Sequence, residues 1–128
     1  MLKRNTPTAI DRRFTGIASK YEVYIVCLYV DTDAIRIRYE ITPPISSNSS
    51  ERRGLPTISW RGYARDDQGG DYQSAGGALG LSDSEQRTDG VLSFLPLPNE
   101  EVNCLDITMI LIVDGIETKA KYEFSVSF

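Results

Sequence analysis

Histidine is absent from all 128 residues. With it go the commonest general base near neutral pH, the Ser-His and Cys-His nucleophile pairs and the commonest zinc ligand. Cysteine is almost absent: Cys27 and Cys104 are too few for a disulfide-stapled fold and lack the CxxC spacing of zinc or redox sites. Both read as buried small apolar residues, with a bond between them as the alternative. No apolar run approaches the roughly 18 residues needed to cross a bilayer as a helix, so no membrane span is expected. No apolar stretch follows Lys3 and Arg4, so no export signal is read. That leaves a cytoplasmic protein as the chain stands, or an extracellular one if a leader has been removed. GxSxG is missing, and Gly76-Gly77-Ala78-Leu79-Gly80 lacks the Lys and Ser or Thr that would make it a phosphate-binding loop.

Positive charge is scarce outside the beginning of the chain. Of 14 Lys and Arg and 18 Asp and Glu, five basic and one acidic residue fall within the first 20 positions, leaving nine basic against seventeen acidic in the remainder. An acidic body disfavours nucleic acid, whose phosphates are held by clustered Lys and Arg. Residues 1–19 read as a basic N-terminal tail or first edge segment, and residues 20–128 as a single domain, since one core suffices at this length.

What the chain has in quantity is alternation with a period of two. Tyr21 to Val30 is almost entirely apolar or aromatic, and Ile35, Ile37, Tyr39 and Ile41 alternate with Arg36, Arg38 and Glu40. Asp31-Thr32-Asp33 between them supplies turn chemistry, so the two runs predict a hairpin. A polar segment from Ser46 to Gly54 follows, read as a mobile loop. Thr57 to Ala64 predicts the next strand, and Asp66-Asp67-Gln68-Gly69-Gly70-Asp71 a tight turn. Gln73 to Gly90, rich in Gly, Ser and Asp, predicts a long surface loop. Gly90 to Phe94 predicts a short strand, placed at an edge by Pro96 and Pro98. Leu105–Val113 and Ile116–Val126 flank Asp114-Gly115, the strongest hairpin signal in the chain, with Ile116, Ala120, Tyr122, Phe124 and Val126 facing inward. The expected fold is therefore an all-β, immunoglobulin-like β-sandwich of about seven antiparallel strands with a long Gly-rich loop.

The order Asp67-Gln68-Gly69-Gly70-Asp71-Tyr72, a Gly-rich gap, Gly90-Val91-Leu92-Ser93-Phe94-Leu95-Pro96-Leu97-Pro98 and Leu105 follows a pattern of the form DxxGxY, loop, GxLxFxPxP, Leu. It resembles bacterial immunoglobulin-like domains of the secreted or lipid-anchored family that includes the mycobacterial immunoprotective extracellular protein. The resemblance covers the middle and end of the chain. It implies a sandwich of seven or eight strands, no cofactor, no established activity and placement outside the membrane.

Chemistry-bearing constellations are few. Asp31 with Asp33, or Asp66, Asp67 and Asp71, could form a carboxylate pair or bind calcium, but they sit in turns, where Asp is favoured for local backbone bonds, and no EF-hand spacing is present. No catalytic residue, cofactor or metal ligand is assigned. Aromatics suggest binding instead: Trp60 falls on the core face by alternation, while Tyr63 and Tyr72 are the surface candidates and, with Asp67, form the predicted ligand-binding set. The sequence thus favours a noncatalytic protein-interaction or ligand-binding domain. The alternatives are an accessory sensory or regulatory module of a membrane-anchored bacterial protein and a carboxylate-dependent hydrolase. The partner is a protein or small ligand, and an edge strand could pair two copies into a dimer.

Overall fold

The computed structural model describes residues 7–17, 21–42, 58–81, 87–113 and 115–127. Eight strands occupy them: β1 (Thr8–Ile17), β2 (Tyr21–Val30), β3 (Ile35–Thr42), β4 (Ile58–Asp66), β5 (Asp71–Leu81), β6 (Thr88–Leu95), β7 (Cys104–Val113) and β8 (Ile116–Ser127). The predicted mobile segment from Ser46 to Gly54 lies outside the described residues.

All eight strands belong to one antiparallel sheet in the order β1-β2-β3-β6-β5-β4-β7-β8. β4, β5 and β6 form a meander, with β3 laid beside β6 and β7 beside β4, so two Greek keys share the central strands. The sheet curls until its end strands meet: Phe14 of β1 lies 4.8 Å from Tyr122 and 6.4 Å from Phe124 of β8, ring centre to ring centre. The expected two-sheet sandwich is thereby corrected to one sheet of eight strands, nearly closed into a barrel. Alternation could not make that distinction. It identifies one buried face per strand, and a sandwich and a barrel both turn that face inward. What separates them is partner choice, here the β3–β6 and β4–β7 ladders that join the two ends of the chain into a continuous sheet.

The inner face carries the core. Val23, Ile25, Leu28 and Val30 of β2 meet Ile35, Ile37, Tyr39 and Ile41 of β3, Leu92 and Phe94 of β6, Leu105, Ile107, Met109 and Leu111 of β7, and Tyr122, Phe124 and Val126 of β8. Each such aliphatic or aromatic side chain contributes on the order of 1.5–3 kcal/mol by leaving water. A register shift between Ile25 and Cys27 carries β2 past one unpaired residue, which is why Cys27 and Leu28 are both buried. Cys27 and the half-buried Cys104 are free thiols.

Three local expectations are corrected as well. β6 is not an edge strand: it lies between β3 and β5, and Pro96 and Pro98 follow its end, where no ladder bond is lost. Ile116 is 72% exposed, because it is the first residue after the β7–β8 turn and a register shift between Ile110 and Ile112 separates it from the buried part of β8. Most of the predicted Gly-rich loop is strand: β5 runs to Leu81 and β6 begins at Thr88.

Candidate binding site at the β4–β5 fork

The predicted ligand-binding residues Tyr63, Asp67 and Tyr72 surround the β4–β5 turn, and the structure gives them different work. Asp66, itself buried, accepts through Oδ1 from the backbone N–H groups of Gln68 and Gly70, both at 2.8 Å, and through Oδ2 from the Tyr72 hydroxyl. Burial pushes its carboxyl up, but the Tyr72, Gly70 and Gln68 hydrogen bonds outweigh burial and hold it below the ordinary carboxylate range. Tyr72 is only 4% exposed, which corrects its expected surface position: it lies on the inner face of β5. Burial, then the Asp66 carboxylate, raise its hydroxyl far above the ordinary tyrosine value. Asp67 accepts from the Asn103 N–H at 3.0 Å and the Cys104 N–H at 3.5 Å, tying the turn to the start of β7, and the Asn103 bond is the main reason its carboxyl is lowered. Tyr63 and Asp67 are the exposed members of the three, and the Tyr63 ring, at 45% exposure, stands in a shallow cleft with Arg65, Asp71, Gln73, Asp106 and Thr108.

The other Asp pair is also engaged locally. Asp31 accepts from the N–H groups of Asp33 and Ala34 and from Arg36 Nε, and Arg36 donates onward to the Ser93 hydroxyl of β6. The Arg36 bond is the largest reason Asp31 is lowered to about 2. Among the described residues no group of three or more potential ligands could hold a metal ion.

A different site emerges above the Asp66 turn. β4 and β5 form a ladder only at Tyr63–Gln73, Ala64–Tyr72 and Arg65–Asp71. Beyond these pairs the strands part: β4 continues to Ile58 paired with β7, and β5 continues to Leu81 paired with β6. At the point of division the Gly62 N–H donates to the Ser74 hydroxyl at 2.9 Å, a side chain standing in for the missing strand partner. The cause of the division is a bulge. The β5–β6 register shifts between Ser74 and Gly77, and Gly76 there has a φ of +100°, which side-chain-bearing residues rarely adopt. Gly77 approaches β6 so closely that a Cβ would stand 2.1 Å from the Val91 carbonyl oxygen. The glycine pair thus bends β5 away from β4.

The resulting fork opens onto the barrel interior through a cavity of about 390 Å³ lined by Tyr39, Trp60, Leu79, Leu92 and the Gly76–Ala78 backbone. Its floor is aromatic. Tyr39 lies across Gly90, where a Cβ would fall within 2.2 Å of the ring, and meets Trp60 edge-on at 5.4 Å; Trp60 in turn lies 5.7 Å from Tyr122. Burial pushes the Tyr39 hydroxyl up to about 12, partly offset by the nearby Trp60 indole. The Trp60 Nε1–H and the Tyr122 hydroxyl are fully buried and make no hydrogen bond of good geometry, and Tyr122 lies behind Trp60 rather than in the cavity lining. A second cavity of about 430 Å³ lies on the other side of the same glycines, lined by Asp33, Arg36, Ala75, Val91, Ser93 and Leu95 among others.

Sequence reasoning missed this site because it assigned Gly76-Gly77 to a loop. A signal was present: from Gln73 to Leu81 there is no charged residue and no proline, a composition at odds with a solvated loop. Fold and site together define a nearly closed antiparallel barrel with a lateral opening between two central strands. No protein-family model, curated protein or solved structure matches the chain.

Proposed function

We propose that the protein is a noncatalytic binding module that takes its ligand laterally, between β4 and β5, and seats an apolar group against Trp60. The observation that carries this reading is the fork cavity itself: a void in the wall of an otherwise packed barrel, bounded by Tyr39, Trp60, Leu79 and Leu92. Cavities with apolar walls and a few polar groups are the usual form of ligand sites, and here Ser59 and the Gly76–Ala78 backbone line the cavity beside the apolar residues. The internal bonding of Asp31, Asp66 and Asp67 supports a binding role over carboxylate chemistry, since these carboxylates already serve the fold.

Trp60 is the sole tryptophan, so its fluorescence reports on the fork alone. Titration with 1-anilinonaphthalene-8-sulfonate should give saturable, single-site energy transfer from Trp60. Leu79→Glu, which sets a carboxylate in the apolar lining on the inner face of β5, should abolish it. Non-saturable binding, or a signal indifferent to Leu79→Glu, would remove the fork as the site.

A further inference from the structure

We propose that the natural occupant of the fork is an extended peptide segment of a partner protein, added as a strand along β5 with one apolar side chain in the Trp60 cavity. This rests on the reading of the fork as a binding site and names the ligand's chemistry.

The first argument is hydrogen bonding. From Gly77 to Leu81, β5 has β6 on one side and no ladder partner among the described residues on the other. The Gly62 N–H points across the fork to Ser74, so strand alternation turns the Trp60 N–H and C=O toward the same gap. Backbone groups on such an edge require partners, and an extended peptide backbone matches their spacing of about 3.3 Å per residue. A small apolar molecule would fill the cavity and leave the edges unmatched.

The second argument is what the edge lacks. Exposed sheet edges are normally guarded by charge or proline. Here Ala75, Gly76, Gly77 and Ala78 form an exposed run with no side chain beyond a methyl group, so an incoming backbone can approach closely. Below this bare edge, the cavity of about 390 Å³ accepts one large side chain, and its lining of Tyr39, Trp60, Leu79 and Leu92 requires that side chain to be apolar. The lining carries no Asp, Glu, Lys or Arg, whereas the whole chain has a net charge of −4, so the complementary partner is uncharged where it enters the fork and basic on either side.

A second copy of this chain is a poorer fit. A strand inserted between β4 and β5 needs both of its edges free, and every described strand is already paired on at least one side.

The probe is a displayed peptide library with five randomised uncharged residues between Lys-Lys flanks, the randomised stretch matching the length of β5 from Gly77 to Leu81. Selection on the intact protein should enrich alternating sequences with a large apolar residue at one central position. Their binding should shift Trp60 fluorescence and weaken at least about tenfold on N-methylation of alternate backbone nitrogens, which removes donors and keeps side chains. That comparison needs no protein variant, so it holds even if Leu79→Glu fails to fold. No enrichment, or binding indifferent to N-methylation, overturns strand addition. If the anilinonaphthalene probe still binds in that case, the fork remains a ligand site and only the peptide is lost; if neither binds, both readings fall. Self-association in sedimentation that blocks the probe identifies a second copy as occupant and overturns the partner peptide.

Discussion

Among the described residues the barrel leaves strand edges facing each other without a ladder at two places, and the two are built of opposite materials. At the β1–β8 seam the gap is closed by side chains: Phe14 packs on Tyr122 and Phe124, and Arg12 lies 5.8 Å from the Phe14 ring. β1 also carries a register shift between Ala9 and Arg12, with Asp11 at a φ of 51°, and β8 presents Glu117, Lys121 and Glu123 to solvent. Bulges and charges are the ordinary devices that keep an edge from pairing. The β4–β5 fork has a bulge too, but it is made of glycine, and the edge beyond it carries only small or apolar side chains. One edge is defended and the other is left accessible, in the same sheet. A barrel that merely failed to close would not sort its residues this way.

The largest effect expected from breaking that contrast is at Gly77. Gly77→Val places a side chain against the Val91 carbonyl, so the β5–β6 ladder must shift, at a cost of about 3 kcal/mol or more in urea unfolding. Gly76→Ala meets open space and only backbone strain, so about 1 kcal/mol is expected. Equal effects at the two positions would show that the fork is not set by close approach to β6. Next in size is the seam: Phe14→Ala should cost about 2 kcal/mol, since the ring is half-buried between two aromatics. It should raise amide exchange in β1 and β8 while probe binding at the fork is unchanged. A parallel loss of probe binding would mean the two openings are one coupled feature.

Much of this contrast was legible in the sequence from the defended side and little from the open one. Alternation of Ile, Tyr, Phe and Val with Arg, Lys and Glu located β3 and β8, nearly continuous apolar runs located β2 and β7, and the run from Thr57 to Ala64 marked β4. Alternation also put Trp60 on the inner face. The closure of the sheet was not legible, since it depends on β3 choosing β6 and β4 choosing β7 across long stretches of chain. β5 was hidden for another reason. Ser74-Ala75-Gly76-Gly77-Ala78 has no large side chains to alternate, and its glycines signal a turn and a bulge equally well. The Asp-rich turn drew attention as a site because carboxylates and tyrosines gather there. They gather because Asp66 and Asp67 terminate backbone and hydroxyl donors that the turn would otherwise bury.

An acid titration sharpens the comparison further. Asp31, Arg36 and Ser93 form a chain of hydrogen bonds linking the β2–β3 turn to β6 beside the outer cavity at the Gly76-Gly77 wall. Asp31 is lowered to about 2 in the folded state, from about 3.9 in the unfolded chain. Its contribution to stability is therefore full above about pH 5 and lost as the pH falls through 4 toward 2. Asp31→Asn should flatten that part of the urea-midpoint profile. Glu22→Gln, which breaks the exposed Arg13–Glu22 pair near the seam, should change stability by less than about 1 kcal/mol. An acid profile left unchanged by Asp31→Asn would show that the β2–β3 turn does not depend on this charge.

The smallest effect belongs to Tyr63, one of the three residues that sequence alone named as ligand contacts. Its ring stands on the outer face, in the shallow cleft with Gln73, Asp106 and Thr108, and the fork cavity opens on the inner face of the same strand. Tyr63→Ala should change stability by no more than about 0.5 kcal/mol, as for most exposed positions, and should leave both the anilinonaphthalene signal and peptide binding as they were. Isothermal titration with the selected peptide compares the variant directly with the parent. If Tyr63→Ala weakens binding while Leu79→Glu does not, the ligand lies across the outside of β4 and β5. The bare edge of β5 would then be an accessible strand without an occupant, and the contrast with the seam would lose its functional meaning.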